Sequence, residues 1–372
     1  MKAIGVFPKE REIRIVDHPE PELKSPTDVE LRMLEVGICG TDKEIAEFLD
    51  GTPPRGWDYF VLGHESLGEV ASVGNEVTGL EAGDLAVMMV RRPCPHESCL
   101  ACRAGRQDFC YTGDFTERGI KEAHGFMTER VVDDQRYVVR VPRELRDVAV
   151  LMEPLTIAEK ALIQVWDIQE RLPWAGREAR NAGRAPRPRG LVLGAGPIGL
   201  LGAMTLIRAG LEMTIFSREP ARHPKAEISR TIGANYISAE DVPASKLVAA
   251  IGRPVDLVYE ASGASTIAFQ VLGTLGANAI FVFTGVPGRK EKIEVDTSEI
   301  MRRLVLQNQV VIGTVNAGRD AFEAAVRDLG AFVRDWPTAI RSLITGRYPM
   351  EEHADLLSGK RGGIKDVITI SH

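Results

Sequence analysis

The chain has 372 residues, 44% hydrophobic and 26% charged, which is ordinary globular composition, neither disordered nor fibrous. Its 46 Lys and Arg against 52 Asp and Glu leave a net charge of −6, the wrong sign for a domain-wide nucleic-acid footprint. At roughly 150 residues per domain, two domains or three are expected, each able to bury its own core.

No run of about 18 uncharged apolar residues occurs, and the start, Met-Lys-Ala-Ile-Gly-Val-Phe-Pro, lacks a signal-peptide core. The expected location is therefore the cytoplasm, with no membrane partner and with thiols kept reduced. Five cysteines in that setting point to metal ligands before disulfides.

The first 150 residues read as short strands between turns. Glu30 to Val36 alternates apolar and charged residues, and Gly68 to Val73 and Leu85 to Val90 are further β segments. Pro53-Pro54, Gly74, Gly79 and Gly83 punctuate them. A β-rich, barrel-like domain is expected. Leu155 to Gln169 then predicts an amphipathic helix. Arg177 to Arg189, with five arginines, Pro186 and Pro188, reads as a solvated connector, since a nucleic-acid patch would interleave aromatic residues.

From Gly190 the pattern becomes β-α-β. Strands are expected at Leu191 to Leu193, Met213 to Phe216, Val255 to Tyr259, Ala279 to Phe283 and Val310 to Ile312. A helix should run from Ile198 to Arg208. Apolar strands alternating with helices indicate a doubly wound α/β domain with a parallel sheet. The stretch from about Asn316 reads as helical and polar.

Gly194-Ala195-Gly196-Pro197-Ile198-Gly199 is G-x-G-x-x-G between a predicted strand and helix, the setting in which it binds a dinucleotide. Gly194 allows the tight turn, Gly196 the close approach of a pyrophosphate, and Gly199 the packing of helix on strand. The free N–H groups of the helix start then face the phosphates. At the end of the second strand, where a carboxylate would read the ribose 2′-hydroxyl of NAD, the chain reads Ser217-Arg218-Glu219-Pro220. A hydroxyl and a guanidinium suit a 2′-phosphate, and Glu219 is expected to point away, so NADP is favoured over NAD.

Two groups of residues have the donor chemistry of zinc. Cys39-Gly40-Thr41-Asp42, Gly63-His64-Glu65 and Glu153-Pro154 offer a thiolate, an imidazole and carboxylates, a set that leaves a position open for chemistry. Cys94, Cys99, Cys102 and Cys110 are spaced C-x4-C-x2-C-x7-C, a closed four-thiolate sphere with a structural role. An iron–sulfur cluster has the same ligand type.

These motifs, in this order, resemble those of the zinc-containing medium-chain alcohol dehydrogenase superfamily. Within it the sequence is most similar to the archaeal-type glucose dehydrogenases, through Met89-Val90-Arg91-Arg92, Met152-Glu153-Pro154-Leu155 with Glu159-Lys160, and Gly313-Thr314-Val315-Asn316. The resemblance implies a GroES-like catalytic domain at 1–188, completed by 308–372, and a Rossmann NAD(P)-binding domain at 189–307. It implies oxidation of D-glucose or a related aldose at C1 to the lactone, with hydride passed to NAD(P). By position, Cys39, His64 and Glu153 are the catalytic zinc ligands, and Glu65 either ligates zinc or binds sugar. Thr41 passes the substrate proton; Glu65, Glu117, Glu153 and Asn316 contact sugar; Thr284 and Asn316 join the cofactor residues. A homodimer or homotetramer is implied by analogy alone.

Two departures from the family pattern stand out. The lobe usually begins C-x2-C, so either Cys94 or His96 supplies its first ligand, with Cys94 favoured. Lys43-Glu44 stand where relatives continue the proton relay with a histidine. Alternatives to the sugar enzyme are a polyol or secondary-alcohol dehydrogenase and a non-catalytic NADP-binding redox sensor. An intact Cys39, His64 and Glu153 set argues against the last.

Overall fold

The structure is a computed structural model that describes residues 1–183, 187–288 and 292–371. The Arg-rich connector expected at Arg177 to Arg189 lies partly outside the described residues, at 184–186. The chain divides into two compact units, Met1–Thr156 with Asn316–His372, and Ile157–Val315. The boundaries expected at 188/189 and 307/308 thus fall at 156/157 and 315/316. The reason lies in the helix Met152–Gln169, one turn longer at its start than its periodicity predicts. Beyond Ile157 its polar side chains bond within the second unit: Glu159 accepts from the Thr205 hydroxyl at 3.1 Å, and Lys160 Nζ donates to the Val315 carbonyl at 3.0 Å.

The first unit is β-rich. Its main sheet has seven strands, in the order Val138–Val141, Leu85–Met88, Glu65–Val73, Asp28–Gly37, Lys365–Thr369 and Ile344–Pro349, with Arg130–Asp134 also paired to Asp28–Gly37. Strands Lys2–Phe7, Glu12–Asp17 and Phe60–Val61 form a second sheet. Between them lies a core that includes Leu31, Met33, Phe60, Leu62, Phe126 and Ile368. Strand Asp28–Gly37 alternates at its start, as its sequence predicts, but from Met33 to Gly37 every residue is buried. The expectation of a wholly helical C-terminus holds for Arg319–Asp335, Pro337–Ser342 and the short helix His353–Leu357. The last strands, Ile344–Pro349 and Lys365–Thr369, enter the first unit's sheet, because Val367 and Ile368 find their partners more than 300 residues earlier, at Gly37 and Val36.

The second unit is a six-stranded parallel sheet in the order Asn235–Ser238, Glu212–Ser217, Arg189–Leu193, Val255–Glu260, Leu275–Phe283, Val310–Gly313. In chain order this is 3-2-1-4-5-6, the doubly wound arrangement whose crevice opens at the carboxyl ends of the strands where the order reverses. That point lies between Arg189–Leu193 and Val255–Glu260. Among the described residues no helix is long and apolar enough to cross a membrane.

Candidate metal and nucleotide sites

Strand register builds the first metal site. Gly37 pairs with Glu65 on one side and with Val367 on the other, so three distant segments converge where strand Asp28–Gly37 ends. The chain then turns into the short helix Gly40–Ala46, with Cys39 at its cap and Thr41 and Asp42 in its first turn. Donor atoms of Cys39, His64 and Glu65 lie within 4.8 Å of one another. A thiol, an imidazole and a carboxylate at that separation fit a zinc ion. Thr41 Oγ1 is 4.0 Å from the Cys39 sulfur.

Asp42 ties two of these donors together. It is fully buried; one carboxylate oxygen accepts the Cys39 backbone N–H at 2.8 Å, and the other lies 3.3 Å from His64 Nδ1. A carboxylate behind an imidazole fixes its tautomer and strengthens it as a ligand. We therefore expect Asp42→Asn, which keeps size and an acceptor for the cap, to weaken zinc affinity by roughly 10- to 100-fold. Competition with a chromophoric chelator measures this; unchanged zinc affinity would show that Asp42 only caps the helix.

Glu65 is placed with the donors, but both its oxygens lie 2.6 Å from Lys365 Nζ, which also donates to the Ile38 carbonyl. Burial acts to lower the Lys365 amine, but Glu65, with Cys39 and Asp42, outweighs it and holds the amine raised. Lys365 carried no signal in the sequence, since only the pairing of the last strand brings it here. Glu153 lies outside the 4.8 Å cluster. It is buried in the same environment, and burial foremost pushes its carboxyl up to about 7, opposed by His64 and reinforced by Glu65.

The four-cysteine lobe closes as its spacing predicts. Donor atoms of Cys94, Cys99, Cys102 and Cys110 lie within 4.8 Å of one another. His96 instead bonds Asp114, which favours Cys94 as the first donor. Burial and neighbouring thiols push Cys102 up to about 12, whereas, against burial, the Thr112 hydroxyl and backbone N–H groups hold Cys110 down to about 6. Four sulfurs cannot share this space as thiolates without a cation, and a zinc ion held by them would supply that charge.

Glu117 and Asn316 are 199 residues apart and meet: Asn316 Nδ2 donates to Glu117 Oε1 at 3.0 Å. The same oxygen accepts from Arg91, at 3.0 Å from Nε and 2.9 Å from Nη2. Asn316 is held in the left-handed region at φ 59°, and its Oδ1 accepts the Ala317 N–H. The Asn316 amide is thus largely spent on holding Glu117, whose second oxygen remains available. This cluster adjoins the metal site, because Gly119, two residues on, packs so tightly on Gly63 that a Cβ there would lie 2.3 Å from the Gly63 carbonyl oxygen.

In the second unit the glycine fingerprint stands as expected, between strand Arg189–Leu193 and helix Pro197–Arg208, with Gly196 as cap, Pro197 in the first position and Ile198 in the first turn. A Cβ on Gly199 would strike the Gly194 carbonyl at 2.0 Å, while a Cβ on Gly196 would meet nothing. The first explains the packing and the second leaves open space for phosphates, which fits a dinucleotide. Gly194, Ala195, Gly196, Ser217, Arg218 and Glu219 line a cavity of about 410 Å³.

One expectation fails here. Glu219 does not point away: it lines the cavity, bonded to the Ser217 hydroxyl and, at 2.6 Å, to Lys225 Nζ. The proline after it turns the backbone without turning the carboxylate out. Thr284, expected among the cofactor residues, sits at the end of strand Leu275–Phe283 with its hydroxyl donated to the Glu260 carbonyl at 2.7 Å. Glu260, which sequence reasoning missed, accepts from Ser262 N and Oγ, Gly263 N and Gly285 N and so ties two loops of the crevice to its strand.

Comparison with known proteins agrees with this arrangement. Residues 25–143 match the alcohol dehydrogenase GroES-like domain, and residues 146–370 match the glucose dehydrogenase C-terminus. The glucose 1-dehydrogenase of Methanocella arvoryzae is 38% identical over 100% of this chain and 99% of its own. That of Metallosphaera sedula is 37% identical over 99% and 98%. A solved structure of Haloferax mediterranei glucose dehydrogenase in complex with NADP, Zn and gluconolactone is 31% identical, with a TM-score of 0.87 and 100% coverage of both chains. Escherichia coli galactitol-1-phosphate dehydrogenase, at 20% identity and a TM-score of 0.78, shares the fold.

Proposed function

From the premise that this chain belongs to the glucose dehydrogenase family of the zinc-containing medium-chain alcohol dehydrogenases, we propose that it oxidises D-glucose, or a closely related aldose, at C1 to the aldonolactone, with NADP as hydride acceptor. The observation that carries this reading is the convergence of the Cys39, His64 and Glu65 donor atoms within 4.8 Å, beside a clamped Glu117. Zinc, when held by Cys39, His64 and a buried carboxylate, supplies Lewis acidity toward the C1 hydroxyl. The chain's own residues do the rest. Thr41, close to Cys39, would relay the C1 hydroxyl proton, its hydroxyl accepting that proton as it passes its own on to solvent. Lys365 neutralises Glu65 and leaves the site without a surplus buried negative charge. Arg91 and Asn316 fix Glu117 so that its second oxygen meets a sugar hydroxyl in one direction only. Such fixed polar groups are what separates sugars from simple alcohols, because an analogue lacking the hydroxyl leaves them unpaired. The fingerprint N–H groups and the Ser217–Arg218 turn hold the dinucleotide.

An aldose panel with both nicotinamide cofactors, followed at the reduced-nicotinamide absorbance, tests the reading. Glucose should lead, galactose or xylose should follow, and ethanol should be poor. Glu117→Gln should raise KM for the sugar by roughly 10- to 100-fold, the worth of one hydrogen bond to a charged group, with little change in cofactor affinity. Short aliphatic or secondary alcohols outperforming every aldose would overturn the substrate assignment.

We further infer a homodimer formed by edge pairing of the parallel sheet. Strand Val310–Gly313 ends the sheet, with Val311 exposed, and Val315, Met301, Val305 and Leu306 are exposed on either side of it in sequence. An apolar, unprotected edge is a liability in a monomer, and a second copy related by two-fold symmetry presents an identical strand to it. Light scattering should give the mass of a dimer or of a pair of dimers, and Val311→Lys should reduce it. A monomeric wild-type protein at micromolar concentration would refute this. The cytoplasm, as a reducing compartment, suits a chain that depends on four free thiols in its lobe.

A further inference from the structure

The cysteine lobe reaches Glu117 through a closed ring of polar bonds. Asp108 lies between Cys102 and Cys110, in the 3-10 turn Gln107–Phe109, and is buried. Both its oxygens accept from Arg106, at 3.0 Å from Nε and 2.9 Å from Nη2, the bidentate fit of guanidinium to carboxylate. The remaining Arg106 nitrogen, Nη1, lies 3.2 Å from Asp320 Oδ2, in the first turn of helix Arg319–Asp335. Four residues before Asp320 stands Asn316, whose amide donates to Glu117. Arg91 closes the ring from the other side. Its Nε and Nη2 hold Glu117 Oε1, its Nη1 donates to the Asp108 carbonyl at 3.4 Å, and its guanidinium stacks on Phe115, 3.7 Å from the ring centroid. Gly318, the cap of the helix, sits where these groups crowd. A Cβ there would lie 2.9 Å from Asp320 Oδ1, 3.1 Å from Asp108 Oδ1 and 3.2 Å from Arg106 Nε, so the missing side chain lets the Asn316–Asp320 segment lie against the lobe.

We propose that Arg106 and Asp108 are positioning residues for sugar recognition: through Asp320 and Asn316 on one side and Arg91 on the other, the lobe sets where the Glu117 carboxylate stands. The proposal rests on the reading of Glu117 as the acceptor of a sugar hydroxyl. Asn316 reaches Glu117 from the left-handed region, a conformation that Asn tolerates and that neighbouring contacts must hold. Arg106 supplies such a contact by tying the helix start that follows Asn316 to the lobe. With side chains 38% and 41% exposed, the Arg106–Asp320 pair adds little to stability. What it supplies is spacing, because it fixes how far Asn316 stands from Arg91 across Glu117. A hydrogen bond weakens steeply as its angle leaves the optimum, so a small shift of Glu117 costs sugar binding without costing the fold. A hydroxyl away from C1 is held alike before and during the reaction. Loosening its acceptor therefore raises KM and leaves kcat in place.

Steady-state kinetics on the zinc-loaded protein, with glucose varied at saturating NADP, tests this; zinc content and melting temperature are measured alongside. Arg106→Met keeps the stem and removes both links. It should raise KM for glucose roughly fivefold or more, with kcat within about twofold of wild type and zinc content unchanged. Placed in a Glu117→Gln background, the same substitution should change KM by less than about twofold, because the group it positions is already altered. Asp320→Asn keeps the acceptor for the Ala321 N–H and turns an amide toward Arg106. It leaves the buried Arg106–Asp108 pair intact, so it carries the test where Arg106→Met costs the fold, and it should raise KM about threefold. KM within twofold of wild type in the folded variants, or an equal rise with and without Glu117→Gln, would overturn the positioning role while the reading of Glu117 stands. Glu117→Gln with an unchanged KM would overturn that reading and the role of the ring together.

Discussion

Replacing Cys39 by Ser or His64 by Ala is expected to lower kcat by roughly 10³-fold or more, which is what several kcal/mol of Lewis-acid stabilisation represents. Both residues belong to a three-residue set that, among the described residues, holds no second thiol or imidazole, and His64 is buried. Their loss should leave the dissociation constants of NAD and NADP within about twofold of wild type, because the nucleotide cavity is lined wholly by residues of the other compact unit. Cofactor titration thus doubles as a control for folding, and elemental analysis should show one zinc fewer per chain. Full activity that survives exhaustive chelation, with no zinc found, would refute a catalytic metal.

The second large effect belongs to the lobe. Cys102→Ser should lower the zinc content by one per chain and the melting temperature by on the order of 10 °C, a few kcal/mol in a unit of this size. The lobe at 94–110 offers little else to hold it. It contains only a four-residue helix, Leu100–Arg103, and a 3-10 turn, Gln107–Phe109, and neither can form a core. Structural zinc supplies folding free energy directly, and one missing thiolate opens its sphere. His96→Ala is the matched control: with His96 bonded to Asp114, both zincs should remain. Wild-type protein with one zinc per chain and unaltered stability in Cys102→Ser would overturn the structural site.

The contrast between residues that could be read and residues that could not follows sequence separation. Cys99, Cys102 and Cys110 sit within one short loop, so their spacing alone predicts a shared ion. The fingerprint glycines, likewise, are confined to six residues between one strand and one helix. Glu219 was misread over only two residues, because whether its side chain turns toward Ser217 or away depends on Lys225, six positions on and in the next helix. Lys365 could not be read at all. Its partner Glu65 lies 300 residues away, and nothing local to Lys365 marks it as buried.

Local chemistry written in the sequence thus determined the two-domain α/β plan, the grouping of the lobe cysteines and the dinucleotide turn. Each depends on periodicity or on donors a few residues apart, where chain geometry permits few alternatives. The tertiary structure alone decided the rest: the return of the last strands beside Asp28–Gly37, the neutralisation of Glu65 by Lys365, the clamp of Arg91 and Asn316 on Glu117, and the charge balance at Glu219. These rest on strand register and on helices packing side chains from remote segments against one another. A shift of one residue in the pairing of Val367 with Gly37 would turn Lys365 to the opposite face, and only the buried core enforces that register.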